Sequence, residues 1–100
     1  MKRIISGKRY DTDTAKNVSE YWNGLSESDF RSCTEYLYQK RTGEFFIYGE
    51  GGAMTRWATS HGNTSSRGRG ILPLTLEMAK EWVESCNNER YEEIFGEAEE

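Results

Sequence analysis

The sequence predicts an α+β fold: a mainly antiparallel sheet of about four to five strands from two hairpins, with one N-terminal helix and two C-terminal helices packed on it. Three observations carry this expectation. Residues 32–49 hold two stretches of strand formers, Cys33–Lys40 and Glu44–Tyr48, separated by the turn pair Thr42-Gly43. Residues 2–12 repeat the pattern on a smaller scale, with Ile4-Ile5 and Arg9-Tyr10 flanking Ser6-Gly7-Lys8. Residues 75–95 carry apolar side chains at helical spacing.

Taken in order, the first hairpin leads to Asp11-Thr12-Asp13, where Thr12 or Asp13 can cap a helix. Ala15, Val18, Tyr21 and Trp22 recur at helical spacing and predict a helix near 13–22, ended by Asn23-Gly24. Residues 25–31 are polar and read as a loop. After the central hairpin, Gly49-Glu50-Gly51-Gly52 is expected to break the regular structure, and Met54–Ala58 is a candidate strand. Residues 59–70 contain almost nothing to bury and read as a flexible loop. Ile71–Leu74 is a short strand whose Pro73 suits an edge. Thr75 is an N-cap for a helix over about 75–86, with Glu77 in its first turn and Leu76, Ala79, Val83 and Cys86 as its apolar stripe. Asn88 can cap a second helix, 89–95, that buries Tyr91, Ile94 and Phe95 and stops at Gly96. One domain over 1–96 with an acidic tail at 97–100 is the expected organisation.

Leu, Ile, Val and Phe together number only 16 of 100 residues, which by itself hints at disorder. The 13 aromatic residues oppose that hint, since each can bury about 150–250 Å². A folded core of Trp, Tyr and Phe is therefore expected. No apolar run approaches the roughly 20 residues of a membrane span. The basic start Met1–Lys8 lacks the apolar stretch that a signal peptide requires. A cytoplasmic location is expected, in which Cys33 and Cys86 stay as free thiols.

The net charge of -4 conceals a separation. Residues 1–76 hold 11 Lys/Arg against 8 Asp/Glu, and residues 77–100 hold 2 against 9, so the last quarter carries all of the net negative charge. Glu77, Glu81 and Glu84 share one side of the predicted helix, with Lys80 able to pair with Glu77 or Glu84. Glu89, Glu92 and Glu93 extend the charge. Neighbouring carboxylates on such a face stand about 5–6 Å apart at Cβ, comparable to phosphates along a nucleic-acid strand. The plain alternative is a solvated helix face.

Other constellations are weaker. Asp11 and Asp13 could bind a divalent metal, but nothing nearby supplies further ligands and helix capping explains both. Cys33, His61 and Cys86 lie 28 and 25 residues apart, without the close pairs of a zinc site. Cys33 with His61 as nucleophile and base lacks an orienting third group. Gly49-Glu50-Gly51-Gly52 lacks the Lys-Ser/Thr of a phosphate-binding loop and reads as a bulge or loop with positive φ. No metal, cofactor or catalytic residue is expected. Arg67-Gly68-Arg69-Gly70, with Lys8 and Arg9, could follow a phosphate backbone, but a pI near 5.1 argues against a dedicated nucleic-acid binder.

The segments Lys8–Lys16, Leu37–Phe46, Tyr48–Met54, Pro73–Thr75, Ala79–Trp82 and Tyr91–Glu97 together resemble small proteins carried by phages and other mobile elements of Gram-positive bacteria, a group associated with anti-defence cargo that includes anti-CRISPR inhibitors of Cas9. The match spans most of the chain outside 59–70. Anti-CRISPR proteins share no common motif, so the resemblance assigns no residue a role. It implies an accessory protein that binds a host protein. The leading expectation is a non-enzymatic inhibitor that places Glu77, Glu81, Glu84, Glu89, Glu92 and Glu93 on the basic nucleic-acid-binding surface of a host protein, most concretely Cas9. The alternative is a nucleic-acid binder using Lys8, Arg9, Arg67 and Arg69, and a third reading is a metal protein or small enzyme.

Overall fold

The strand formers of residues 33–51 build the centre of the molecule. In the computed structural model, which describes residues 1–100, β4 (Cys33–Gln39) and β5 (Phe45–Gly51) pair antiparallel across the expected turn. β3 (Lys16–Trp22) pairs with β4, and β8 (Gly68–Leu74) with β5, giving an antiparallel sheet in the order β3-β4-β5-β8. Pro73 thus lies on an edge strand, where its missing N–H costs least. β1 (Lys2–Ile5) and β2 (Lys8–Asp11) form the separate first hairpin, with Ser6 and Gly7 both at positive φ in the turn, as a twisted hairpin prefers. α1 (Leu76–Cys86) starts at Thr75, whose hydroxyl accepts from the Met78 N–H at 3.1 Å. A 3₁₀ turn (Asn88–Arg90) then leads into α2 (Tyr91–Phe95), which ends at Gly96 with φ 95°.

Several elements differ from expectation. No N-terminal helix exists: residues 12–15 form turns and 16–22 are β3, so the helices are C-terminal only. The register of β3 slips between Asn17 and Ser19, a bulge that turns Val18, Ser19 and Tyr21 all toward the helix side. That spacing imitates one face of a helix, while Val, Tyr and Trp suit a strand. Residues 59–70 are not a plain loop, since β6 (Thr59–His61) and β7 (Thr64–Ser66) pair and β8 begins at Gly68. Every residue of β6 and β7 is exposed. Met54–Ala58 forms turns instead of a strand. The second helix is a 3₁₀ turn plus a single α-helical turn, flanked by Asn87 instead of capped by Asn88.

Alternation along β4 and β5 creates two different faces. Glu35, Leu37, Phe45 and Ile47 face the helices and pack with Ala79, Trp82 and Val83. Tyr36, Tyr38, Phe46 and Tyr48 face the other way. There the first hairpin covers one end: the Tyr10 ring meets Phe46 edge-on at 5.5 Å, and Tyr38 stacks on Phe46 at 5.3 Å. Aromatic side chains therefore fill both layers, which offsets the shortage of aliphatics.

Trp57 explains Gly49. β5 continues in extended form through Gly49 to Gly51, and neither residue has positive φ. Gly49 is needed for space: a Cβ there would enter the Trp57 indole ring. Gly49→Ala should lower stability by about 1–3 kcal/mol through overpacking. Gly70→Ala, whose Cβ would lie at an ordinary 3.6 Å from Trp57, should change it far less. Urea unfolding of the two variants measures the difference.

Candidate functional site

The acidic surface follows from the amphipathic pattern of α1. Ala79, Trp82 and Val83 are buried against the sheet, so Glu77, Glu81 and Glu84 are left in solvent, and Glu89, Glu92 and Glu93 are exposed beyond them. These six carboxylates do not form a single cluster. Glu84, Glu89 and Glu92 line one groove with Glu97, Glu99 and Lys80. Glu81 lies instead in the groove between β8 and α1, with Met78, Leu72 and Arg56. Glu93 is held by Arg90 through two hydrogen bonds of 3.2 and 3.3 Å. Lys80 makes no ion pair with Glu77 or Glu84, so the excess negative charge is left uncompensated. The tail is tied back at one point, where Glu92 accepts from the Ala98 N–H at 2.9 Å.

The basic residues fall into two separate places. Lys8 pairs with Glu44 at 3.3 Å, and Lys40 reaches the same carboxylate at 3.5 Å. Arg9 and Arg41 line the groove beside them. Arg67 sits near Glu50, with a nitrogen 4.0 Å from the carboxylate, and donates to the Glu27 carbonyl at 3.3 Å. Glu44 and Glu50 are six residues apart along an extended strand, about 20 Å. Arg69 stands opposite Glu50 in the β8 register. Lys8 and Arg9 therefore share no surface with Arg67 and Arg69, and two of the four are already paired with carboxylates.

The remaining candidates have local explanations. Asp11 caps no helix; its carboxylate accepts from the Asp13 N–H at 2.9 Å in a turn after β2. His61 is exposed on β6, and Cys33 and Cys86 are half-buried free thiols. Burial pushes both thiols up, and the Glu35 charge adds to the effect, which keeps them protonated. No group of three or more His, Cys, Asp or Glu side chains is gathered as a metal site. No helix is long and apolar enough to cross a membrane.

One residue with a large role has no motif to mark it. Glu35 is buried at 6 % exposure on the helix-facing side of β4. Its Oε1 accepts from the Trp82 indole at 2.8 Å. Its Oε2 accepts from the Trp57 indole at 2.8 Å and from Arg56 Nε at 2.9 Å, and is ion-paired with Arg56 Nη2 at 2.8 Å. The Arg56 guanidinium also lies 5.0 Å from the Trp57 ring centroid. Burial pushes the Glu35 carboxyl up, but hydrogen bonds from Trp82, Trp57 and Arg56, with the Arg56 charge, outweigh burial and hold it below the usual 4.5. A carboxylate so fully engaged suits an anchor better than a proton-transfer group. The available signals were strand alternation, which turns Glu35 inward with Leu37, and two indole N–H groups that need acceptors once buried.

Comparison of the chain with family models, with curated proteins and with solved structures finds no match. The residues themselves therefore carry the functional reading.

Glu35→Gln should cost roughly 2–4 kcal/mol, because an amide nitrogen must then face an N–H donor. Because folding depresses its pKa, Glu35 stabilises the native state fully above the unfolded value of about 4.3–4.5. That contribution is lost as pH falls through the lower folded value. Urea midpoints measured from pH 7 to pH 2 should fall on the acid side for the native chain, and the fall should be shallower in Glu35→Gln.

Proposed function

We propose that this protein is a mobile-element accessory protein that acts without catalysis, by docking on a host defence nuclease and inhibiting it. The most concrete target is a Cas9-type effector, and the host cytoplasm is where they would meet. The observation that carries this reading is the exposed excess charge of the C-terminal helices and tail, 9 carboxylates against 2 cations over residues 77–100. A Cas9-type effector holds its guide–target duplex in a positively charged channel. A surface rich in carboxylates can occupy such a channel in place of nucleic acid, since neighbours on one helix face stand about 5–6 Å apart at Cβ.

The groove formed by Glu84, Glu89 and Glu92 is the best contact centre, since its carboxylates lie together and the tail adds Glu97 and Glu99. Glu77 and Glu81 lie outside it on α1, and Glu93 is partly neutralised by Arg90. Contact of this kind is steered by charge and weakens as salt screens it.

The test is binding to a purified, guide-loaded Cas9-type nuclease, read together with target DNA cleavage. The native protein should bind, block cleavage and lose affinity as salt rises. The triple variant Glu84→Lys, Glu89→Lys, Glu92→Lys should bind roughly tenfold more weakly or worse, with an unchanged circular dichroism spectrum. No binding at low salt, or undiminished binding by the triple variant, would overturn the proposal.

A further inference from the structure

The first hairpin covers only one end of the outer sheet face, and the open remainder carries an aromatic groove lined by acids. Register sets Glu20 beside Tyr36 and Tyr36 beside Tyr48, while Trp22 stands beside Thr34 and Thr34 beside Glu50. The Tyr36 and Tyr48 rings stack with centroids 6.1 Å apart and planes inclined by 21°. Trp22 is 61 % exposed on the edge strand β3, and its indole N–H donates to the Leu25 carbonyl at 2.9 Å. The carboxylates of the groove are Glu20, Glu27 and Glu50; Arg67 lines it too, and Arg69 stands beside Glu50 in the β8 register. Glu20 pairs with no cation. Burial and the nearby charges of Glu50 and Glu20 push the Tyr36 phenol up, in keeping with a negative local field.

We propose that this groove binds an arginine side chain presented by a basic segment of a partner protein. A guanidinium is planar, stacks on aromatic faces and offers a donor fork to carboxylates, so tyrosine and tryptophan faces beside the unpaired Glu20 are its natural complement. The protein already supplies an example: Arg67 places its own guanidinium at the groove, against Glu50 and the Glu27 carbonyl. Three carboxylates against Arg67 and Arg69 still leave the groove net negative, so a nucleic-acid strand stacked on its aromatic rings would bring its phosphates toward like charge. The groove lies on the sheet face opposite the helices, so it is independent of the acidic helix surface and could engage a different part of the same partner or a second one.

The test titrates the full-length ¹⁵N-labelled protein with a tri-arginine peptide, with its neutral analogue tri-citrulline, and with oligo-uridine. Tri-arginine should move the Trp22 indole resonance and the amides of Glu20, Tyr36 and Tyr48 saturably, and tri-citrulline should not. The double variant Glu20→Gln, Trp22→Leu should weaken tri-arginine roughly tenfold. Both positions are exposed, so the amide spectrum outside the groove should be preserved. Shifts confined to residues 84–99, an equal response to tri-citrulline, an unaffected double variant, or tighter binding of oligo-uridine than of tri-arginine would each overturn the proposal.

Discussion

The carboxylate of Glu35 ties three parts of the chain to one point. It rises from β4, a central strand, and is gripped by the indole of Trp82 from α1 and by Trp57 and Arg56 from the turns after β5. Helices on a sheet are usually positioned by shape alone, and in a core short of aliphatics shape alone specifies little. Here charge-assisted hydrogen bonds fix the position of α1, because any other placement would leave a buried carboxylate or a buried indole N–H without a partner. At the other end of α1, the Asn87 amide donates to the buried Ser19 hydroxyl at 2.9 Å and ties the helix to the bulged β3. No buried side-chain polar atom is left without a partner.

This anchoring gives the sheet its electrostatic role. Lys8, Arg9, Lys40 and Arg41 line one groove beside the first hairpin with Glu44 and Asp11, while the glutamates of α1 and α2 stand in solvent on the helix side. A modest net charge thus coexists with local polarity, and the outer face itself carries both basic and acidic patches. Orientation during an encounter depends on that polarity more than on the total. The open half of the outer face differs again, since exposed aromatic rings stand beside carboxylates there.

The sequence was most readable where one local rule decided the structure. The Thr42-Gly43 turn between β4 and β5, the Thr75 cap and the Gly96 stop all appear where turn and cap chemistry place them. It misled at 16–22, where a single bulge gave a strand the spacing of a helix. It misled again at Gly49-Gly51, where Gly49 makes room for Trp57 and Gly51 for Thr55 and the Ser32 carbonyl, contacts invisible to local reading. The acidic surface was legible from charge counting, but its division into separate grooves depends on how α2 folds back against α1. The role of Glu35 was the least legible, because its partners lie 21, 22 and 47 residues away. The Tyr36–Tyr48 platform was half-legible: alternation shows that the two tyrosines share a face, but only the placement of the first hairpin shows that this part of the face is open.

The most direct measurement of the Glu35 anchor follows the three tryptophan indole protons by NMR as a function of pH and of hydrogen exchange. Trp57 and Trp82 donate to the same carboxylate, whereas Trp22 donates to a backbone carbonyl at the surface. If the anchor holds the fold together, the Trp57 and Trp82 protons exchange slowly and shift together with a single titration below 4.5, while Trp22 exchanges fast and does not follow it. Exchange of Trp57 and Trp82 as fast as that of Trp22, or no shared titration, would contradict it.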